Sequence, residues 1–183
     1  MAEVPKHLVV ISAGVIGQEF GSVCRRLAAK VTVVEYLDHV AHGTDLEAGN
    51  PCNPRSYATA TTSDHGVSSS VEPADGGEVG LIEADYVLVA IGRQPYTKSL
   101  GLETIGLTVD KRGMLENKGH RTEAENVWVI GDVTSGPMLA HKAEDEATVC
   151  LGRIVGKAGE VNYNLIPNVI YTRPELASVG KTE

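Results

Sequence analysis

Four short runs of apolar or β-branched residues punctuate this chain: Leu8–Ile11, Val31–Val34, Tyr86–Ile91 and Val127–Ile130. Each is too short for a helix and ends at a glycine, a serine-glycine turn or a carboxylate, which predicts buried parallel strands. Between the first two, Ile16, Phe20, Val23 and Leu27 recur at helical spacing, so residues 15–27 are expected to form a helix. Strand, glycine turn, helix and strand within about 30 residues is a βαβ unit with a right-handed crossover. Apolar positions from Met138 to Ile154 predict a second amphipathic helix, stopped by Gly156 and Gly159. Leu81–Glu83 reads as a further strand, and Val169–Tyr171 and Ala177–Val179 as two short ones near the end. Between His39 and Ser70 no period is sustained, and Gly, Pro, Ser, Thr and Asn dominate. So long a structureless stretch is rare in a compact domain, so it is expected to be irregular or altered.

The totals narrow the function classes. Against 24 acidic residues there are 16 Lys and Arg, a net charge of −8, which leaves no basic face for nucleic acid. No apolar run approaches the roughly 20 residues of a membrane span. The opening MAEVPKHLVVI lacks the apolar core and cleavage site of a secretory signal. Cys24, Cys52 and Cys150 are odd in number and widely spaced, so neither a disulfide framework nor a zinc site is expected, and no metal is assigned.

Ser12-Ala13-Gly14-Val15-Ile16-Gly17 is a G-x-G-x-x-G dinucleotide fingerprint whose first glycine is replaced by serine. Its context is the required one: a strand before, a helix after, and Glu35 closing the next strand 21 residues beyond Gly14. Gly14 would let the backbone approach a pyrophosphate, Gly17 would let helix and strand pack closely, and the helix N-terminus would favour the negative charge. Glu35 would accept the adenine ribose 2′-OH and repel a 2′-phosphate, which favours NAD over NADP. The competing reading is a βαβ unit whose glycines serve packing alone. If the turn needs a left-handed residue, Ser12 costs roughly 1–2 kcal/mol there, and NAD binding is expected to be impaired rather than abolished.

The richest stretch is Val127–Glu146, VWVIGDVTSGPMLAHKAEDE. It predicts a strand, the Gly131-Asp132 pair, a Gly-Pro turn and a helix opening at about Met138. On its residues alone Asp132 is equally a turn carboxylate, His141 a packed helix histidine, and Lys142 to Glu146 a solvated helix face. The run resembles the second flavin-contacting segment of the pyridine nucleotide–disulfide oxidoreductases, most closely their dihydrolipoamide-oxidising branch. Val4–Glu35, Ala90-Ile91-Gly92-Arg93-Gln94-Pro95 and Val161–Glu183 resemble other parts of the same family. The likeness fails between His39 and Ser70, where the family has a further helix and strand for which this chain is too short. A deletion, an altered exon and a misread sequence all remain open.

The resemblance implies an α/β fold: a truncated, Rossmann-like, three-layer FAD/NAD(P)-binding fold. It divides the chain into a NAD-binding domain (1–119, with 39–70 irregular or deleted), a returning segment of the FAD-binding domain (120–160) and the start of a dimerisation domain (161–183). It implies FAD and NAD as cofactors. Ser12, Ala13, Gly14, Val15, Ile16, Gly17, Gln18, Glu19, Glu35 and Gly92 would face NAD, with Glu19 near the nicotinamide. Asp132 would hold the ribityl chain of FAD, and Met138, Leu139, Ala140 and His141 would lie against the flavin. The implied activity is NAD-dependent oxidation of dihydrolipoamide carried on an acyltransferase component, by a homodimer, in the mitochondrial matrix or the bacterial cytoplasm. The family's C-x-x-x-x-C redox pair and its His-Glu dyad do not occur in these residues, so no catalytic residue is assigned and the chain alone is expected to be inactive. The alternatives are a stand-alone NAD-binding module and a non-functional fragment of a related disulfide reductase.

Overall fold

The computed structural model describes residues 1–45, the backbone of 56–63, and residues 66–181. Residues 46–55, with Cys52 and much of the stretch expected to be irregular, lie outside the described residues. Two compact units divide the chain: residues 1–92 with 167–183, and residues 93–166.

The first unit begins with the expected βαβ unit: β1 (His7–Ile11), α1 (Val15–Arg26) and β2 (Lys30–Val34). β1 and β2 are parallel, with Val9 opposite Thr32, and β6 (Tyr86–Val89) lies parallel on the other side of β1. The sheet order is β2-β1-β6. A central strand covered on both faces explains the unbroken apolar run of β1. Leu8 and Val10 pack with Cys24 and Ala29 on the α1 side. Val9, with Ile11 beside it, packs with Val34, Ala84, Val71 and Ile82 on the other. Burial pushes the Cys24 thiol above its ordinary value, which suits a packing thiol rather than a reactive one.

The second layer corrects the sequence reading. β3 (Ser56–Ser63), β4 (Gly66–Pro73) and β5 (Gly80–Ala84) form an antiparallel sheet in the order β3-β4-β5, so residues 56–63 and 66–70 are strand and not irregular. Tyr, Thr and Val are strand formers, but Ala and Ser between them give almost no hydrophobic contrast, so no period shows. Ser69 is fully buried in β4, and its hydroxyl has no hydrogen-bond partner among the described residues. An unsatisfied buried hydroxyl is a desolvation loss without return. Ser69→Ala is therefore expected to raise stability by about 1 kcal/mol. Urea unfolding would read this as a higher midpoint at unchanged slope, and a lowered midpoint would refute it.

α1 holds a second correction. Ile16, Phe20, Val23 and Leu27, the stripe that predicted the helix, are 50%, 40%, 42% and 56% exposed. The face against the sheet carries Gly17, Gly21 and Cys24 instead. Small residues let the helix axis approach the strands closely, which leaves the larger stripe outward. Val33 of β2 is also exposed, beside a cleft of about 470 Å³ between α1, β2 and residues 172–176. Apolar surface is thus uncovered at the β2 flank and also at Val89 of β6 and Leu81 of β5, while both faces of β1 are covered. β7 (Asn168–Ile170) and β8 (Leu176–Ser178) pair antiparallel, each one residue earlier than expected.

In the second unit Leu107, Leu115 and Val129 form the core. Val127–Val129 is buried to half-buried, Ile130 is exposed, and the run is not a ladder strand. Trp128 makes one isolated bridge with Arg121, and the Val129 N–H donates to the His120 carbonyl. A strand needs a neighbour along its length, and none stands there among the described residues. A 3-10 turn (Gly131–Val133) follows, then α2 (Ala140–Ile154), which starts two residues later than expected.

Candidate functional site: a dinucleotide turn and a carboxylate turn

β1 leads through Ser12 and Ala13 into the N-terminus of α1, whose N-cap residue, Gly14, supplies no side-chain cap. With no acidic residue in the first turn and Arg25 and Arg26 in the last, the helix dipole is left positive at this end. Gly17 is fixed by packing: a Cβ there would strike the Ser12 carbonyl oxygen and stand 3.0 Å from Val10 Cγ1. Because the nearer atom is backbone, the helix itself would have to move. Gly17→Ala is expected to cost about 1–3 kcal/mol, measured as a lower denaturation midpoint, and an unchanged midpoint would show that the helix is free to shift.

Glu35 lies at the end of β2 and is only 8% exposed. Its Oε2 accepts from the Ala13 N–H at 2.6 Å and the Ser12 hydroxyl at 3.4 Å. Its Oε1 accepts from the N–H groups of Tyr36 at 2.7 Å and Leu37 at 2.9 Å. Burial pushes the Glu35 carboxyl up, but the Leu37, Ala13 and Tyr36 N–H groups and the nearby His42 outweigh it and hold it below the ordinary range. It is therefore ionised at neutral pH and already bound to the fingerprint turn.

Ser12 sits at φ 88°, in the left-handed region that favours glycine. Its hydroxyl oxygen also lies 3.4 Å from the Gly14 N–H. Gln18 donates from its side-chain amide to the Ala13 carbonyl at 2.8 Å, bracing the same turn. Val15 is half-buried and Ile16 exposed. Glu19 accepts from the Tyr171 N–H at 2.9 Å, a tie to the end of β7 that the sequence did not suggest. Gly92 has φ 115° and open space where a side chain would be, so its conformation rather than crowding selects glycine.

The second group of residues belongs to the other compact unit and is described by itself. Gly131 is buried at φ 76°, and Asp132 stands beyond it with its side chain 39% exposed. The Arg93 guanidinium reaches Asp132 Oδ2 at 3.6 Å. Both are open to water, so the pair is weak. Met138, Leu139 and His141 are half-buried and Ala140 is exposed.

One expectation here is overturned. Lys142 and Glu146, read as part of a solvated helix face, are both 0% exposed. Lys142 Nζ donates to the Gly131 carbonyl at 2.7 Å and to Thr134 Oγ1 at 2.9 Å, and lies 3.3 Å from Glu146 Oε1. Glu146 accepts from the Gly131 N–H at 2.6 Å and from the Tyr163 hydroxyl at 2.7 Å. Burial, then the hydrogen bond to Glu146 and its charge, push the Tyr163 hydroxyl up to about 12. Only the spacing Lys142, Glu146, Cys150, one residue per helical turn, could have signalled a buried face.

No group of three His, Cys, Asp or Glu side chains suited to a metal ion occurs among the described residues. Nor is any helix among them long and apolar enough to cross a membrane.

A parallel strand–glycine turn–helix–strand unit with a carboxylate after its second strand defines a dinucleotide-binding α/β class. The chain belongs to the pyridine nucleotide-disulphide oxidoreductase family, whose sequence model matches residues 1–147. It is 60% identical to dihydrolipoyl dehydrogenase 3 of Pseudomonas putida, an alignment covering 100% of this chain and 42% of that protein. It is 44% identical to the mitochondrial dihydrolipoyl dehydrogenase of Homo sapiens, covering 100% of this chain and 39% of that one. Among solved structures, LpdA of Mycobacterium tuberculosis superposes with a TM-score of 0.84 at 28% identity, over 99% of this chain and 41% of its own. The HOCl-induced flavoprotein disulfide reductase RclA of Escherichia coli gives 0.84 at 26%, over 100% and 44%. The fold is accordingly the expected α/β, Rossmann-like fold in truncated form. The chain spans about two fifths of the length of the relatives it matches. The Pseudomonas putida alignment runs over 195 positions against 183 residues here, so at least 12 residues of that relative have no counterpart in this chain.

Proposed function

We propose that this chain carries the nicotinamide-nucleotide site and one wall of the flavin site of a dihydrolipoamide dehydrogenase. The carrying observation is Glu35, held by the Ala13 N–H against the fingerprint turn, where an ionised carboxylate accepts a ribose 2′-OH and repels a 2′-phosphate. Gly17, whose Cβ would strike the Ser12 carbonyl, and the uncapped start of α1 fit a bound pyrophosphate. The half-exposed Asp132 on its buried glycine turn fits the flavin's polar side chain. In this reading Ser12 to Glu19, Glu35 and Gly92 serve NAD, while Asp132 and Met138 to His141 serve FAD. The three-part division at residues 119 and 160 follows the same ancestry.

The whole enzyme would oxidise dihydrolipoamide on the acyltransferase component of a 2-oxo-acid dehydrogenase complex. It would do so as a homodimer, in the mitochondrial matrix or in a bacterial cytoplasm. FAD, when bound, supplies the electron relay between dithiol and nicotinamide. The dithiol step needs a close cysteine pair and an acid–base dyad. Cys24, Cys52 and Cys150 do not form such a pair in sequence, so those groups must come from outside these 183 residues. NADH is expected to bind at least tenfold more tightly than NADPH in a fluorescence titration, with no lipoamide-dependent NADH turnover by the chain alone. Equal affinities would sink the assignment of Glu35, and robust turnover would sink the division of labour.

A stand-alone NAD-binding module is the second reading. It is favoured by one fact: the fingerprint turn, Glu35 and Gly92 fall within a single compact unit.

A further inference from the structure

The buried polar cluster behind Gly131 is unexplained by packing. Replacing a buried ion pair with apolar residues of similar size is often neutral or stabilising, so stability alone gives no reason for a lysine and a glutamate at 0% exposure. Their partners suggest another reason. Among the described residues, every strong contact the two charges make outside themselves is with the turn that carries Asp132, with Thr134 just after it, or with Tyr163. The Gly131 N–H is taken by Glu146 Oε2 and the Gly131 carbonyl by Lys142 Nζ, so both polar groups of that one peptide residue are held by opposite charges. Thr134 closes the arrangement. Its hydroxyl lies 2.8 Å from the Gly131 carbonyl and 3.1 Å from Glu146 Oε1, and it accepts from Lys142. The Tyr163 hydroxyl donates to the same Oε1 of the Glu146 carboxylate.

Gly131 is at φ 76°, a conformation with little intrinsic preference in a residue that lacks a side chain. Charge-assisted hydrogen bonds to both of its backbone groups remove that freedom. The Asp132 carboxylate is therefore aimed by neighbours it never touches.

We propose that the buried Lys142–Glu146 pair, with Thr134 and Tyr163, is a positioning element that fixes the Gly131-Asp132 turn and so orients the flavin-facing carboxylate of Asp132. This rests on the reading of Asp132 given above. Lys142 and Glu146 are positioning residues and not catalytic ones, since they reach the flavin side only through the turn.

The test uses the full 183-residue chain, FAD as the probe, and NMR. In Lys142→Met the Gly131 amide is expected to exchange with solvent at least tenfold faster, while the Val129 amide, bonded to the His120 carbonyl, keeps its rate. Adding FAD to millimolar concentration is expected to shift the Asp132 carboxyl resonance in the unmodified chain and to shift it far less in the variant. Unchanged exchange at Gly131 overturns the proposal, and so does a flavin response that survives intact in Lys142→Met. A faster Gly131 amide in the variant, with no flavin response even in the unmodified chain, would leave the turn clamp standing. It would remove the flavin assignment of Asp132, and with it the orienting role. Should Lys142→Met fail to fold, Thr134→Val removes the bridging hydroxyl without leaving a lone charge, and the same two readouts apply.

Discussion

Replacing Ser12 by glycine is expected both to stabilise the protein by about 1 kcal/mol and to tighten NADH binding about tenfold, and the two gains have different causes. The stability gain comes from φ. A side chain at 88° crowds the backbone whether or not nucleotide is present, so its relief raises the unfolding midpoint and leaves affinity alone. The affinity gain comes from the hydroxyl. A carboxylate has about four acceptor positions, and Glu35 gives them to Ala13, Tyr36, Leu37 and Ser12. The Ser12 contact, at 3.4 Å, is the longest of the four and the one a ribose hydroxyl would displace. The same oxygen lies against the Gly14 N–H, a donor that a pyrophosphate needs. A hydrogen bond to a charged acceptor is worth about 1.5–3 kcal/mol, so losing part of one accounts for a tenfold effect. Ser12→Ala separates the causes: it keeps a side chain at positive φ but removes the hydroxyl. It should gain affinity without gaining stability. If Ser12→Gly changes neither the urea midpoint nor the NADH dissociation constant, both arguments fall.

What the sequence disclosed depended on contrast between neighbouring residues. β1, α1, β2 and β6 were legible because unbroken apolar runs alternate with glycine turns. β7 and β8 were placed within one residue for the same reason. β3 and β4 were hidden because Ser, Thr and Ala alternate without a polar-to-apolar signal, although the backbone pairs along eight residues. α1 was found from its outward stripe, because its inward face is built of glycines and a cysteine, which carry no periodic weight. Val127–Ile130 has the composition of a buried strand. Composition, however, cannot say whether a neighbouring strand is present to pair with it.

The site was legible in unequal halves. Glu35 was singled out from its distance to Gly14 in sequence and its carboxylate does lie against the fingerprint turn, and the left-handed backbone at Ser12 was anticipated as a condition. The contacts that engage both residues could not be read, because hydroxyl and carboxylate partners lie 23 residues apart. Lys142 and Glu146 were misread outright. Charged residues in a helix are nearly always solvated, and only full pairing reverses that expectation.

The same pairing makes Glu146→Leu the substitution with the largest expected loss of stability, about 3–5 kcal/mol. The ammonium of Lys142 would remain at 0% exposure with two neutral acceptors and no counter-charge, and the Gly131 N–H would lose its acceptor. Lys142→Met should cost less. The Glu146 carboxylate it leaves behind keeps the hydroxyls of Thr134 and Tyr163 as donors even as the Gly131 turn loosens. The double variant, Lys142→Met with Glu146→Leu, leaves no buried charge and should recover a large part of the loss, a coupling that a double-mutant cycle in urea measures directly. Tyr163 provides an independent optical check. Its hydroxyl is held at about 12 by burial first and by Glu146 second, so Glu146→Gln, which keeps the shape and removes the charge, should lower it toward the ordinary 10. Alkaline titration at the tyrosinate absorption band would then show the Tyr163 component moved to lower pH. Simple additivity of the two single variants, together with an unmoved tyrosine titration, would mean that the two side chains do not interact as a buried ion pair.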